Sequence, residues 1–166
     1  MVSCVAACSA AEEGGSAEDD LGTSKSPIAY VRSIQNGYGR WLDAELSTAN
    51  RNGTKVHLWD WNGGSNQWWG FTWWGNDLWS IQSTYGPWRC LDAALESIDG
   101  NGTKVQLWDC SFDTQQLWRL ESGGQIVNAR SGRCLDAEFP NINNLGTKVQ
   151  LWDCSGGRHQ SWTIGN

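Results

Sequence analysis

The sequence predicts an all-β fold made of three like units, on two kinds of observation. One is internal repetition. Leu-Asp-Ala occurs at 42–44, 91–93 and 135–137, and Gly-Thr-Lys-Val at 53–56, 102–105 and 146–149, giving periods of 49 and 44 residues. In each unit Asp precedes the turn Gly by ten residues, a Trp (Trp59, Trp108, Trp152) follows that Gly by six, and Gln-x-Trp closes the unit at 67–69, 116–118 and 160–162. The other observation is local: Asn52-Gly53 and Asn101-Gly102 are hairpin turn signals set between short alternating apolar runs, which indicates strands rather than helices.

Length and charge narrow the function. The chain has 166 residues, the size of one domain, and a net charge of −6, which argues against a grip on nucleic-acid phosphates or anionic lipid. No apolar run approaches the ~20 residues that span a bilayer. Trp, at 13 against 3 Tyr and 3 Phe, exceeds what a core of this size needs, so flat aromatic faces serve another purpose.

Residues 1–29 differ from the rest and read as a disordered acidic leader, holding five of the 18 acids. From Tyr30 to Asn166 there are 13 acids and 11 bases, so the predicted domain, 30–166, is close to neutral. Val5-Ala6-Ala7-Cys8 resembles a bacterial lipobox whose Cys becomes lipid-linked. It lacks a basic n-region and has only about seven residues before Cys8, so a misassigned start and a chance match both stay open.

Within a unit, alternation assigns faces. In Val105-Gln106-Leu107-Trp108-Asp109-Cys110, Gln106, Trp108 and Cys110 share one side of the strand. Asp109, with its counterparts Asp60 and Asp153, points the other way and reads as a turn or structural hydrogen-bond partner. Cys90/Cys110 and Cys134/Cys154 share a 20-residue offset in matching positions, so two disulfides are expected there, each worth about 3 kcal/mol in the chain-entropy model and implying an oxidising compartment. A zinc site is the rival, but there are no CxxC pairs and both His are isolated. If the bonded Cys are directly opposed, Asp92 lies across from Trp108, Asp136 from Trp152 and Asp43 from Trp59, a carboxylate over each indole. In the first unit Trp41 and Trp61 replace the Cys pair, so that unit is expected to be the least constrained.

Arg-Cys-Leu-Asp-Ala, Gly-Thr-Lys-Val-Gln-Leu-Trp-Asp-Cys and Gln-x-Trp, recurring in register from Tyr30 to Asn166, resemble the ricin-type carbohydrate-binding modules. The resemblance implies a β-trefoil with pseudo-threefold symmetry and up to three shallow sugar sites. Carried over, the site carboxylate falls on Asp43, Asp92 and Asp136, the stacking aromatic on Trp59, Trp108 and Trp152, and the polar strand residue on His57, Gln106 and Gln150. The polar pair before the closing Trp becomes Asn66 and Gln67, Gln115 and Gln116, and His159 and Gln160. The family most often has Asn first in that pair, so only the first unit conforms. A pyranose has an apolar C–H face for an indole and hydroxyls for a carboxylate, which suits these residue types.

Plainer roles compete. The closing Trp69, Trp118 and Trp162 read as core anchors, His57 and His159 could be surface histidines, and the three Asp could cap hairpins. The stretch from Trp69 to Trp79 reads as a lengthened hairpin around Gly75-Asn76 whose Trp73, Trp74 and Trp79 either form an exposed patch or, as expected, pack into the open end of the barrel.

The function expected is non-catalytic glycan binding by a secreted, monomeric chain, with no cofactor, metal or nucleic acid, and with Cys8 as a candidate envelope anchor. A small glycoside hydrolase is the enzyme alternative, but it needs two carboxylates ~5–10 Å apart in one cleft, whereas the repeating Asp come one per unit. No HExxH, GxSxG or phosphate loop occurs. A protein-binding or protease-inhibitor trefoil is the third class, and it would not need Asp and Trp paired in every unit.

Overall fold

The computed structural model describes residues 28–165; the leader at 1–29 therefore lies outside it except for Ile28 and Ala29. Among the described residues twelve strands form three sets of four. The first set is β1 (Tyr30–Asn36), β2 (Trp41–Ala44), β3 (Thr54–Trp59) and β4 (Trp68–Trp73). The second is β5 (Leu78–Ser83), β6 (Cys90–Ala93), β7 (Thr103–Trp108) and β8 (Leu117–Leu120), and the third β9 (Ile126–Asn128), β10 (Cys134–Ala137), β11 (Thr147–Trp152) and β12 (Trp162–Gly165). The outer strands of each set build a barrel through β12–β1, β1–β4, β4–β5, β5–β8 and β8–β9. The inner pairs β2–β3, β6–β7 and β10–β11 form hairpins that join in a triangle through β3–β7, β7–β11 and β11–β3. This is a β-trefoil.

The repeated motifs make the threefold core. Leu42, Leu91 and Leu135 meet Leu58, Leu107 and Leu151 across the three hairpins, all fully buried. The closing Trp69, Trp118 and Trp162 are buried too, and their indole N–H groups donate to the carbonyls of Leu42, Leu91 and Leu135 at 3.1, 3.1 and 2.9 Å. A buried Trp needs such an acceptor. Gly-Thr-Lys-Val is the device that joins one set to the next. Gly53, Gly102 and Gly146 have φ of 85°, 87° and 78°, a region open to Gly at little cost. Each following Thr hydroxyl donates to carbonyls of its own turn, and each Lys crosses to a neighbouring set: Lys104 Nζ to Gly53 O, Lys148 to Gly102 O and Lys55 to Gly146 O, at 3.0–3.1 Å.

The disulfides Cys90–Cys110 and Cys134–Cys154 are present, with Cα atoms 5.1 Å apart. They are not made across the ladder. Cys110 and Cys154 lie beyond the ends of β7 and β11, so each bond is diagonal and the register is shifted by two residues from the expected one. Asp43, Asp92 and Asp136 oppose His57, Gln106 and Gln150, while Trp59, Trp108 and Trp152 oppose Trp41, Cys90 and Cys134. A shift of two preserves the side-chain face, so each Asp keeps the same side as its Trp.

In the first set Trp41 and Trp61 meet at 5.4 Å between ring centroids, and Trp68 packs edge-on to Trp61 at 5.6 Å. The lengthened hairpin at β4–β5 turns at Gly75-Asn76, as expected, but only Trp79 of its three Trp packs against the core. Trp73 and Trp74 stay 56% and 37% exposed, because the hairpin tip carries them past the barrel rim.

Candidate functional site

Each set carries one cleft between its β-hairpin and the loop leading to the closing Gln-x-Trp. The first has a volume of about 350 Å³ and is lined by residues including Asp43, His57, Trp59 and Asn66. The second, about 520 Å³, includes Asp92, Gln106, Trp108 and Gln115. The third, about 210 Å³, includes Asp136, Gln150, Trp152 and His159.

The carboxylate is held in the same way three times. One oxygen of Asp43, Asp92 and Asp136 accepts from His57 Nε2, Gln106 Nε2 and Gln150 Nε2, each at 3.1 Å. The other accepts from Gln67, Gln116 and Gln160 Nε2 at 2.9, 3.0 and 2.8 Å. These three Gln are buried, and each amide is spent on the protein. In the second set Gln116 donates to Asp92 and to Asp109 O while its Oε1 accepts from the N–H groups of Ser111 and Phe112. They therefore aim the carboxylate and shape the loop from behind; Gln116 also lines the second cleft, whereas Gln67 and Gln160 are not among the residues lining the first and third. The residue before each differs: Asn66 Nδ2 donates to Asp43 at 2.7 Å, Gln115 turns to Ser111 Oγ at 3.5 Å, and His159 Nε2 sits 3.4 Å from Asp136. Burial pushes Asp92 and Asp136 above the usual carboxylate value of 3.8 despite the amide bonds they accept.

Beside each carboxylate stands an indole that the fold leaves in water: Trp59, Trp108 and Trp152 are 38%, 42% and 43% exposed. Each ring lies over a turn Gly of another set, within 4 Å of where a Cβ on Gly146, Gly53 or Gly102 would stand. Opposite, each cleft has an exposed apolar residue three positions after its Asp. Leu46 and Leu95 line the first two, and Phe139 lines the third. Sequence reasoning missed these, although the apolar residue at Asp+3 recurs in all three units; it lies past the strand, where alternation no longer assigns a face.

Two further groups depart from expectation. Asp109 lines the second cleft rather than only serving a turn, although it also clips two sets together: Asn52 Nδ2 donates to it at 2.8 Å and Arg89 pairs with it. Asn101 and Arg133 hold Asp153 in the same way. Asp60 has Arg40 at 3.3 Å, but Leu145 stands where the other turns have Asn. Glu45 in the first cleft and Glu96 in the second add carboxylates that the sequence reading did not place. Among the described residues no group of three or more His, Cys, Asp or Glu is placed to hold a metal ion.

The model of the ricin-type β-trefoil lectin domain matches residues 30–162. The chain belongs to this family. No curated protein sequence matches this ricin-type lectin chain. Among solved structures it is similar to ThreeFoil, a designed 3-fold symmetric protein, at 26% identity and a TM-score of 0.75 over 82% of this chain and 98% of that one. A Macrolepiota procera ricin B-like lectin, solved in complex with lactose, is 22% identical with a TM-score of 0.69, covering 86% of this chain and 99% of that one. An exo-β-1,3-galactanase from Clostridium thermocellum is 23% identical with a TM-score of 0.75, covering 85% of this ricin-type chain but 31% of the enzyme.

Proposed function

We propose that this chain is a non-catalytic glycan-binding module with three shallow clefts. A pyranose would stack its C–H face on Trp59, Trp108 or Trp152 and give hydroxyl hydrogen bonds to Asp43, Asp92 or Asp136, with His57, Gln106, Gln150, Asn66, Gln115 and His159 at the polar edge. The observation that carries this is the threefold recurrence of a buried, amide-clamped carboxylate beside an indole left in solvent. Folding gains little from an exposed Trp, whereas a sugar face gains from it. Membership in a lectin family supports carbohydrate binding in general, and the lactose complex of the Macrolepiota procera protein supports a sugar ligand. The galactanase bears on the alternative of a module that serves a catalytic domain.

Catalysis by the clefts themselves is disfavoured, even though Glu96 and Asp109 join Asp92 in the second one. Asp109 is tied to Asn52 and paired with Arg89, which leaves it poorly placed to serve Asp92 as a second catalytic carboxylate. The reading includes export, which two disulfides favour, and a monomer; lipid attachment at Cys8 belongs to it as well. A glycan array with the full chain, followed by competition with the free monosaccharide and a turnover assay on labelled hits, tests it. Competable binding without turnover is expected. Cleavage would move the chain to the hydrolases, and binding that no sugar competes would move it to the protein-binding trefoils.

A further inference from the structure

Repeats 1 and 3 carry glycine at two left-handed loop positions where repeat 2 carries aromatic residues. Before the Arg that leads into the hairpin stand Gly39 (φ 86°) and Gly132 (φ 71°), but Trp88 (φ 37°) in repeat 2. Four residues before the closing Gln stand Gly63 and Gly156 (both φ 71°), but Phe112 (φ 59°) in repeat 2. Side chains rarely adopt this backbone region, and bulky ones least of all, so an aromatic there is strained where Gly would not be. Burial does not offset the strain at Trp88, which is 52% exposed.

The two residues flank one segment. Cys110 and Ser111 form part of the wall of the repeat-2 cleft, the largest of the three; the Trp88 carbonyl lies 3.3 Å from Cys110 Sγ, and Phe112 follows Ser111 directly. Phe112 in turn packs on Trp74 at 4.7 Å between centroids, and the Trp74 indole N–H donates to Ser80 Oγ at 3.0 Å, which fixes the ring. Trp74 comes from the hairpin extension that the β8–β9 junction lacks. Two strained aromatics and one inserted aromatic thus gather about residues 110–112, which border a single cleft.

We propose that the repeat-2 cleft is one subsite of an extended site for a neutral oligosaccharide chain, with Trp88 and the Phe112–Trp74 pair stacking further sugar rings. The Trp74 indole, tied to Ser80 and packed on Phe112, presents its face already ordered, which lowers the entropy lost on binding. An acidic chain is disfavoured because Asp92, Glu96 and Asp109 line the cleft with no Lys or Arg among its lining residues. The proposal rests on the reading that the Asp92 cleft takes a sugar.

The test uses the full chain carrying Asp43→Ala and Asp136→Ala, so that repeat 2 is read alone, titrated calorimetrically with xylo-, cello- and galacto-oligosaccharides of one to six units. Affinity should rise at least about tenfold between one unit and four for the matching sugar. Adding Trp88→Gly and Phe112→Gly, the residues the other repeats carry, should flatten that rise while monosaccharide binding and melting temperature hold. An oligogalacturonide of equal length should bind at least about tenfold more weakly than the neutral chain. Length-independent binding, an unchanged rise in the double glycine variant, a large fall in its melting temperature, or equal binding of the acidic chain each overturns the proposal while leaving the cleft reading intact. Binding that survives Asp92→Ala overturns the cleft reading, and the proposal with it.

Discussion

Repeats 1 and 2 share a backbone and differ in what is hung on it. β3 and β7 have the same burial along their lengths, and the indole of each closing Trp bonds a hairpin leucine carbonyl at 3.1 Å. Yet repeat 2 is stapled by Cys90–Cys110 where repeat 1 stacks Trp41 on Trp61, and it clamps its Asp with Gln106 where repeat 1 uses His57. The core leucines, the turn glycines and the Asp, Trp and Leu of each cleft are shared, and the differences fall on the staple and on the polar residues beside the Asp. Stability and recognition are thus carried by separate sets of side chains, often a few residues apart.

The sharpest way to break that division is to remove one Trp from each set. Trp118→Ala should cost about 3–5 kcal/mol, the usual loss for a buried Trp, enough to unfold a marginally stable domain. Trp108→Ala, ten residues earlier, should leave the melting temperature nearly unchanged and remove sugar binding at repeat 2. Denaturant melts with matched titrations decide it, and a reversal of the two outcomes would undo the assignment of faces.

A smaller effect distinguishes the staples. Replacing Cys90 and Cys110 by Ser should cost about 3 kcal/mol through the freed 20-residue loop. Trp61→Ala should cost only about 1 kcal/mol beyond its lost contact area, the scale of an aromatic pair. Equal losses in thermal melts would mean that the Trp pair holds repeat 1 as firmly as a covalent bond.

Much of this was legible before any coordinates. Identical spacing made the Leu-Asp-Ala strands, the turn glycines and the Cys pairs readable, because a threefold fold forces the same physics on equivalent positions. The exposed side of Trp108 followed from strand parity, and the buried place of Trp118 from its closing position in the repeated Gln-x-Trp. The register missed by two because strand alternation says nothing about a bond made after the strand has ended, at Cys110. The sequence placed Gln67, Gln116 and Gln160 at the site but did not show that their amides clamp the carboxylate, since polarity in sequence does not tell which way an amide is used. Leu46, Leu95 and Phe139 were missed for the same reason as Cys110: they lie off the strands.

Multivalency gives the next expected effect. With three like clefts, binding to an immobilised glycan should exceed solution affinity for the monosaccharide by a factor of ~10², and Asp43→Ala, Asp92→Ala and Asp136→Ala should each lower it in part. Surface plasmon resonance on a glycan-coated chip measures this. Complete loss from one substitution with none from the others would reduce three sites to one.

The smallest effect, and the finest contrast, lies between two aspartates of repeat 2. Desolvation holds the folded-state pKa of Asp92 above 3.8, while hydrogen bonds from Asn52 and Arg89 hold that of Asp109 below it. For Asp92, and likewise Asp136, the raised value means the contribution to stability is fully present below 3.8 and is lost as pH rises through the folded pKa. For Asp109 the contribution is present above 3.8 and is lost as pH falls through its depressed folded value. Sugar recognition asks for the ionised carboxylate of Asp92 and Asp136 as hydroxyl acceptor. Acidification should therefore protonate these two, and abolish binding at repeats 2 and 3, at a pH above 3.8 where Asp109 is still ionised and the fold still gains from it. Titrating binding and melting temperature in parallel from about pH 7 to about pH 3, with the chain carrying Asp43→Ala so that repeats 2 and 3 are read, should show binding lost first, with the melt holding until lower pH. If the two fall together, the loss of binding reports unfolding, and the buried carboxylates are not what the sugar requires.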